Sequence, residues 1–162
     1  MTPLPAWPPP PTAVRRLLHP DGPEGDAADA LEAPHPWDLC ALTGDLAEAV
    51  WTWLDDVAVW LNATYAAQDH QVIPACWPHH PSIAHDLAAL AFSRLDVYQA
   101  STAAYVGRWH HDLEDLHRRM TTTLGPNSPC HRGNHDAHPR QLTAEAANHA
   151  ITTRAQSEPP AP

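Results

Sequence analysis

The stretch DLAEAVWTWLDDVAVWLNATY, residues 45–65, decides the fold. Leu46, Val50, Trp53, Leu54, Val57 and Leu61 recur every three or four positions, which lines one face of an α-helix with apolar side chains. Asp45 followed by Glu48 has capping-box spacing and places the start of the helix. Trp51 and Trp60 widen the stripe, so this helix is expected to be covered on more than one side. Trp51, at the margin of the stripe, is the candidate exposed anchor for a partner, because protein interfaces are enriched in tryptophan.

Working outward, Pro36 can occupy a first helical position, which allows a short lead helix over Trp37–Leu42. Downstream, Pro74, Pro78 and Pro81 exclude regular structure from residues 68–82. A second helix then starts near Pro81 or Ser82, with Ile83, Leu87, Leu90, Ala91, Leu95 and Tyr98 on its apolar face. A third pattern follows through Tyr105, Trp109, Leu113, Leu116 and Met120, and Gly125-Pro126 stops it. Residues 99–102 are the weak point between the two, which leaves open one long bent helix. No segment reads as a strand.

The ends differ in composition. Residues 1–36 hold ten of the 19 prolines, including Pro8-Pro9-Pro10-Pro11. Proline locks φ and removes a backbone donor, so this region reads as a disordered arm with extended polyproline character. Arg15, Arg16, Leu17 and Leu18 allow one transient helical turn. The expected organisation is therefore a disordered Pro-rich arm over 1–36, a helical core over 37–124, a His/Pro-rich loop over 125–140, and a short helix with a disordered tail over 141–162. The expected class is all-α, a small bundle of about three helices.

Charge and cysteine content limit the function. The chain has no lysine, nine arginines and a net charge of −10, which disfavours non-specific binding to nucleic acid. The charge is uneven: residues 108–140 carry five arginines, four acids and six histidines, so this stretch becomes cationic in mild acid. Three cysteines are too few for a disulfide framework. The N-terminus lacks a basic region followed by an apolar run, and no apolar stretch approaches the length of a membrane span. A cytoplasmic location is expected. There is no phosphate-binding glycine loop, nucleophile elbow or zinc-protease motif, so no catalytic residue is assigned and a non-enzymatic role is favoured.

Several landmarks together resemble a family of unknown function found in actinobacteria and in their phages and plasmids. They are Trp60-Leu61 with Tyr65, Trp77 with His80-Pro81, then Trp109, Asp112 and Asp115-Leu116-His117, and finally Gly125-Pro126 with Cys130. Together they span roughly residues 53–135. The sequence departs from the pattern at Cys76, where the family cysteine would fall near Pro74, at Ser82, which replaces an acidic residue, and at Pro78 and His110, which stand where tryptophans are common. The resemblance implies a helical protein linked to mobile elements, without a known activity. With it, the expected role is a non-enzymatic accessory domain that binds another protein.

The alternative is a zinc-stapled domain, structural in the first place and hydrolytic only if a coordination position stays open. The chain holds 13 histidines. Cys76, His79 and His80 share one proline-bounded loop, and Cys130, His131, His135 and His138 share another. Thiolate and imidazole are preferred zinc ligands, and a closed structural site takes four of them. A hairpin of the second and third helices would return the chain toward its start and bring the loops together. The expected ligands are Cys76, His80, His117 and Cys130, with His79 and His135 as substitutes. The resemblance supports His80, His117 and Cys130 as family positions, and not Cys76, His79 or His135. A second constellation, His110, Glu114 and His117 on one helix, has part of a di-iron pattern. It lacks the matching Glu-x-x-His on a partner helix, so it reads as a polar face.

Overall fold

The computed structural model describes residues 4–19, 34–125, 127–135 and 148–149. Four α-helices are present among them: α1 (Thr12–Leu18), α2 (Gly44–Tyr65), α3 (Pro81–Val97) and α4 (Ala104–Leu124). Three 3-10 turns, Asp69–Gln71, Trp77–His79 and Pro129–Arg132, occupy the connections. The described residues contain no strand. The all-α class holds, with four helices in place of about three. The helix expected within 141–151 lies outside the described residues, apart from 148 and 149.

The central helix is α3, which packs against both α2 and α4. Its sequence explains why: Ile83, Ala84, Leu87, Ala88, Leu90, Ala91 and Phe92 are all buried, and the alanines let neighbouring helices approach closely. By contrast, α4 buries one stripe, Trp109, Leu113, Leu116, His117, Met120 and Leu124, at the spacing of a single helical face. The Trp109 indole N–H donates to the Leu90 carbonyl at 2.9 Å and pins this stripe to α3. Residues 98–103 separate the two helices, so the single bent helix does not form. Tyr98 and Tyr105, expected on apolar faces, are exposed at this corner. At the other end of α4, Gly125 adopts φ +83° while its N–H still reaches the Thr121 carbonyl, closing the helix.

The anticipated helix of residues 45–65 starts one residue early. Thr43 is the cap residue and no side chain caps the end, so the Asp45–Glu48 box is not used. Gly44 enters at φ +57°, a conformation that glycine tolerates best. The buried stripe is Val50, Trp53, Leu54, Val57, Ala58 and Leu61. Trp51 is half-buried and stacks on Trp77, with ring centroids 5.3 Å apart, so it is a packing residue and not the exposed anchor. The lead helix over Trp37–Leu42 is instead a pair of turns, closed by Asp38 N–H to His35 O and Ala41 N–H to Asp38 O.

Part of the N-terminal arm docks on the helices. Residues 4–19 lie against the helices: Val14 of α1 is fully buried, and Trp7 packs on the core. Two tryptophans of α2 hold the arm, with Trp53 Nε1 donating to Pro8 O at 3.1 Å and Trp60 Nε1 to Pro5 O at 3.0 Å. Proline excludes helix and strand from such a run. It does not exclude docking, because the carbonyls still accept hydrogen bonds.

Candidate metal centre

The loop before α3 is held in place by two anchors on α2. Asn62 clamps the backbone of Ile73 from both sides, donating from Nδ2 to Ile73 O at 3.0 Å and accepting from Ile73 N at Oδ1 at 2.8 Å. Four residues on, Trp77 is buried against Trp51 and donates from Nε1 to Asp55 Oδ1 at 2.9 Å. Between and beyond these anchors the prolines set the path. Pro78 lies inside the 3-10 turn and Pro81 opens α3, so His80 sits at the N-cap with its carbonyl accepting from Ile83 and Ala84. Cys76 and His80 therefore flank one rigid turn, and both face inward at 9% and 2% exposure.

The other half of the site comes from the segment after α4. Ser128 Oγ accepts from Cys130 N–H at 3.3 Å and starts the 3-10 turn Pro129–Arg132. His131 Nε2 donates to Gly125 O at 3.2 Å, which ties the turn to the end of α4. Gly133, at φ +81°, then reverses the chain, and Asn134 N–H returns to Pro129 O. This turn buries Cys130 to 1% exposure and directs His135 back over it.

The α3–α4 hairpin brings the two segments together. The ligand atoms of Cys76, His80, Cys130 and His135 all lie within 4.8 Å of one another. His80 Nε2 is 3.6 Å from Cys76 Sγ and 3.5 Å from Cys130 Sγ. Zinc bonds of ~2.3 Å to sulfur and ~2.0–2.1 Å to nitrogen, at the tetrahedral angle, separate S and N by about 3.6 Å. The two measured spacings are thus already those of adjacent ligands around one zinc ion. Three of the four groups are buried and His135 is exposed, closing the outer side.

Burial and the neighbouring Cys130 thiol push the Cys76 thiol up to about 11, since two thiolates side by side would repel each other in a poorly solvated place. A divalent cation reverses that balance, because a coordinating thiol loses its proton. Cys40, Cys76 and Cys130 form no disulfide.

Of the expected ligands, Cys76, His80 and Cys130 converge, and His135, the substitute, completes the set. His117 is not one of the four. It is buried on the inner face of α4, where burial and nearby His70 hold its pKa below the usual histidine value. His79 is exposed beside His135, with ring centroids 5.0 Å apart. His138 lies outside the described residues. The His110–Glu114–His117 constellation does not assemble: His110 lies 3.3 Å from the Tyr65 hydroxyl, and Glu114 pairs with His111 at 3.7 Å. Asn62, Asp55 and Trp77, which position the turn, were not marked by the sequence as site residues.

No family model, curated protein or solved structure matches this chain. No helix among the described residues is long and apolar enough to cross a membrane.

Proposed function

We propose that the chain is a zinc-stapled, non-enzymatic helical domain. One Zn²⁺ held by Cys76, His80, Cys130 and His135 would tie the turn before α3 to the segment after α4. The observation that carries this reading is the spacing of His80 Nε2, 3.6 and 3.5 Å from two buried cysteine sulfurs that come from opposite ends of a helical hairpin. Four protein ligands fill a tetrahedron and leave no open position for substrate or water, so the site is structural and not hydrolytic. A staple suits this chain, because a small helical domain gains little from its core alone.

The accompanying biological role, an accessory domain of a mobile element that binds another protein, rests on the family resemblance.

The test is metal content of the untagged protein, paired with thermal unfolding with and without chelator. About one equivalent of zinc and a large chelator-induced fall in Tm are expected, since metal binding is folding free energy in such domains. No metal and an unchanged transition would overturn the reading.

A further inference from the structure

Cys76 and Cys130 are 54 residues apart in sequence, yet their sulfurs are neighbours in the buried half of the cluster. The two sulfurs lie within 4.8 Å of each other, and the Cys130 side chain is within hydrogen-bond reach of the Cys76 thiol. His80 Nε2 touches both, at 3.6 Å from Cys76 Sγ and 3.5 Å from Cys130 Sγ, so the sulfurs converge on one point of one ring. Each is carried by its own 3-10 turn, Cys76 at the N-cap of Trp77–His79 and Cys130 inside Pro129–Arg132. Two thiols held in this way can be joined by the loss of two electrons as well as by a shared cation.

A disulfide brings its sulfurs to about 2.05 Å, so the pair has to close by less than about 3 Å. Rotation of one or both cysteines about the Cα–Cβ bond covers a gap of that size. Cys40 does not compete for either partner, because it is exposed and its sulfur lies 3.7 Å from His85 Nε2, outside the cluster.

A bond between Cys76 and Cys130 would join the same two segments as the metal, the turn before α3 and the segment after α4. A cross-link that closes so long a loop removes much of the freedom of the unfolded chain. It also consumes two of the four ligands, so zinc and the disulfide exclude each other.

We propose that Cys76 and Cys130 are a redox-reversible pair, which a peroxide joins into a disulfide that staples the α3–α4 hairpin when zinc is absent. The step balances with hydrogen peroxide as the oxidant. One thiol is oxidised to the sulfenic acid as the O–O bond breaks and water leaves, and the second thiol displaces a second water as the S–S bond forms. The two sulfurs together lose two electrons and the two S–H protons end in the waters. His135 is the exposed member of the cluster, so the peroxide approaches past it. The exclusion of zinc rests on the reading above, whereas the sulfur pair does not.

The test uses the full untagged chain carrying Cys40→Ser, which leaves only the two thiols in question. Zinc-loaded and chelator-stripped samples are treated with hydrogen peroxide and followed by thiol titration, mass spectrometry and circular dichroism. The stripped chain is expected to lose both thiols and two hydrogens in mass, to yield one cross-linked Cys76–Cys130 peptide, and to stay monomeric. Its helicity should match that of the zinc-loaded form, its Tm should exceed that of the reduced stripped form, and it should take up zinc only after reduction. Zinc should slow the reaction at least tenfold, because it holds both sulfurs. Sulfinic acids without a cross-link, a disulfide between chains, or a cross-linked chain that has lost its helices would overturn the proposal. Zinc that does not bind, or does not protect, in a chain that cross-links and keeps its helices would overturn the zinc reading and support the pair.

Discussion

His80 Nε2 and Cys130 Sγ lie 3.5 Å apart across fifty residues of sequence, and the α3–α4 hairpin between them closes the distance. Each partner is fixed by its own local device, the N-cap of α3 for His80 and a 3-10 turn for Cys130. Neither device depends on the other, so a cation shared between them links two independently built ends of the hairpin.

Cys130→Ala should remove the bound zinc and with it a substantial part of the roughly 10–16 kcal/mol that a structural zinc contributes near neutral pH. His135→Ala should weaken retention of zinc as well, while His117→Ala should leave zinc content unchanged, because His117 is not in the cluster. Metal analysis of the three purified variants separates these outcomes. Zinc loss in His117→Ala with retention in His135→Ala would contradict the assignment.

The clamp of Asn62 on Ile73 holds the turn that carries Cys76. Asn62→Ala leaves a backbone N–H and a carbonyl without their partner, and such buried groups cost about 1–3 kcal/mol each. Urea denaturation should show a loss of that order. A change under about 0.5 kcal/mol, the range of a neutral surface substitution, would show that the clamp is dispensable.

Trp77→Phe keeps an aromatic ring against Trp51 and removes the bond to Asp55. A hydrogen bond to a charged group contributes about 1.5–3 kcal/mol, so a destabilisation in that range is expected. Asp55→Asn, which keeps an acceptor, should cost less. Equal losses in the two variants would show that the bond itself is not what the turn depends on.

His117 gives a pH dependence whose direction follows from burial. Its folded pKa lies below the unfolded value, so the unfolded chain takes up the proton first as the solution is acidified. Stability from this group is intact above the unfolded histidine value of about 6.5 and is lost as the pH falls below it. Denaturant unfolding at pH 7.5 and pH 5.5 should show a smaller loss for His117→Gln than for the parent chain. An identical loss in both would mean that His117 is protonated as readily in the fold as out of it.

The sequence shows the helices more clearly than it shows how the ends are used. Residues 45–65 announce α2 because their apolar positions follow one helical period, and Gly125-Pro126 marks the stop of α4, where Gly125 takes φ +83°. The docking of residues 4–19 is not legible in the sequence, because proline count reports what the backbone cannot form, while docking depends on Trp53 and Trp60, which are distant in sequence. At the candidate site, Cys76, His80 and Cys130 are legible from residue type and loop spacing. The choice of His135 over His117 is not, because it depends on the chain reversal at Gly133 and on His117 turning inward on α4.

The most direct measurement is X-ray absorption at the zinc edge on the untagged protein. The account predicts one zinc per chain with two sulfur ligands at about 2.3 Å and two nitrogen ligands at about 2.0–2.1 Å. A shell of oxygen and nitrogen without sulfur, or zinc far below one equivalent, would contradict it.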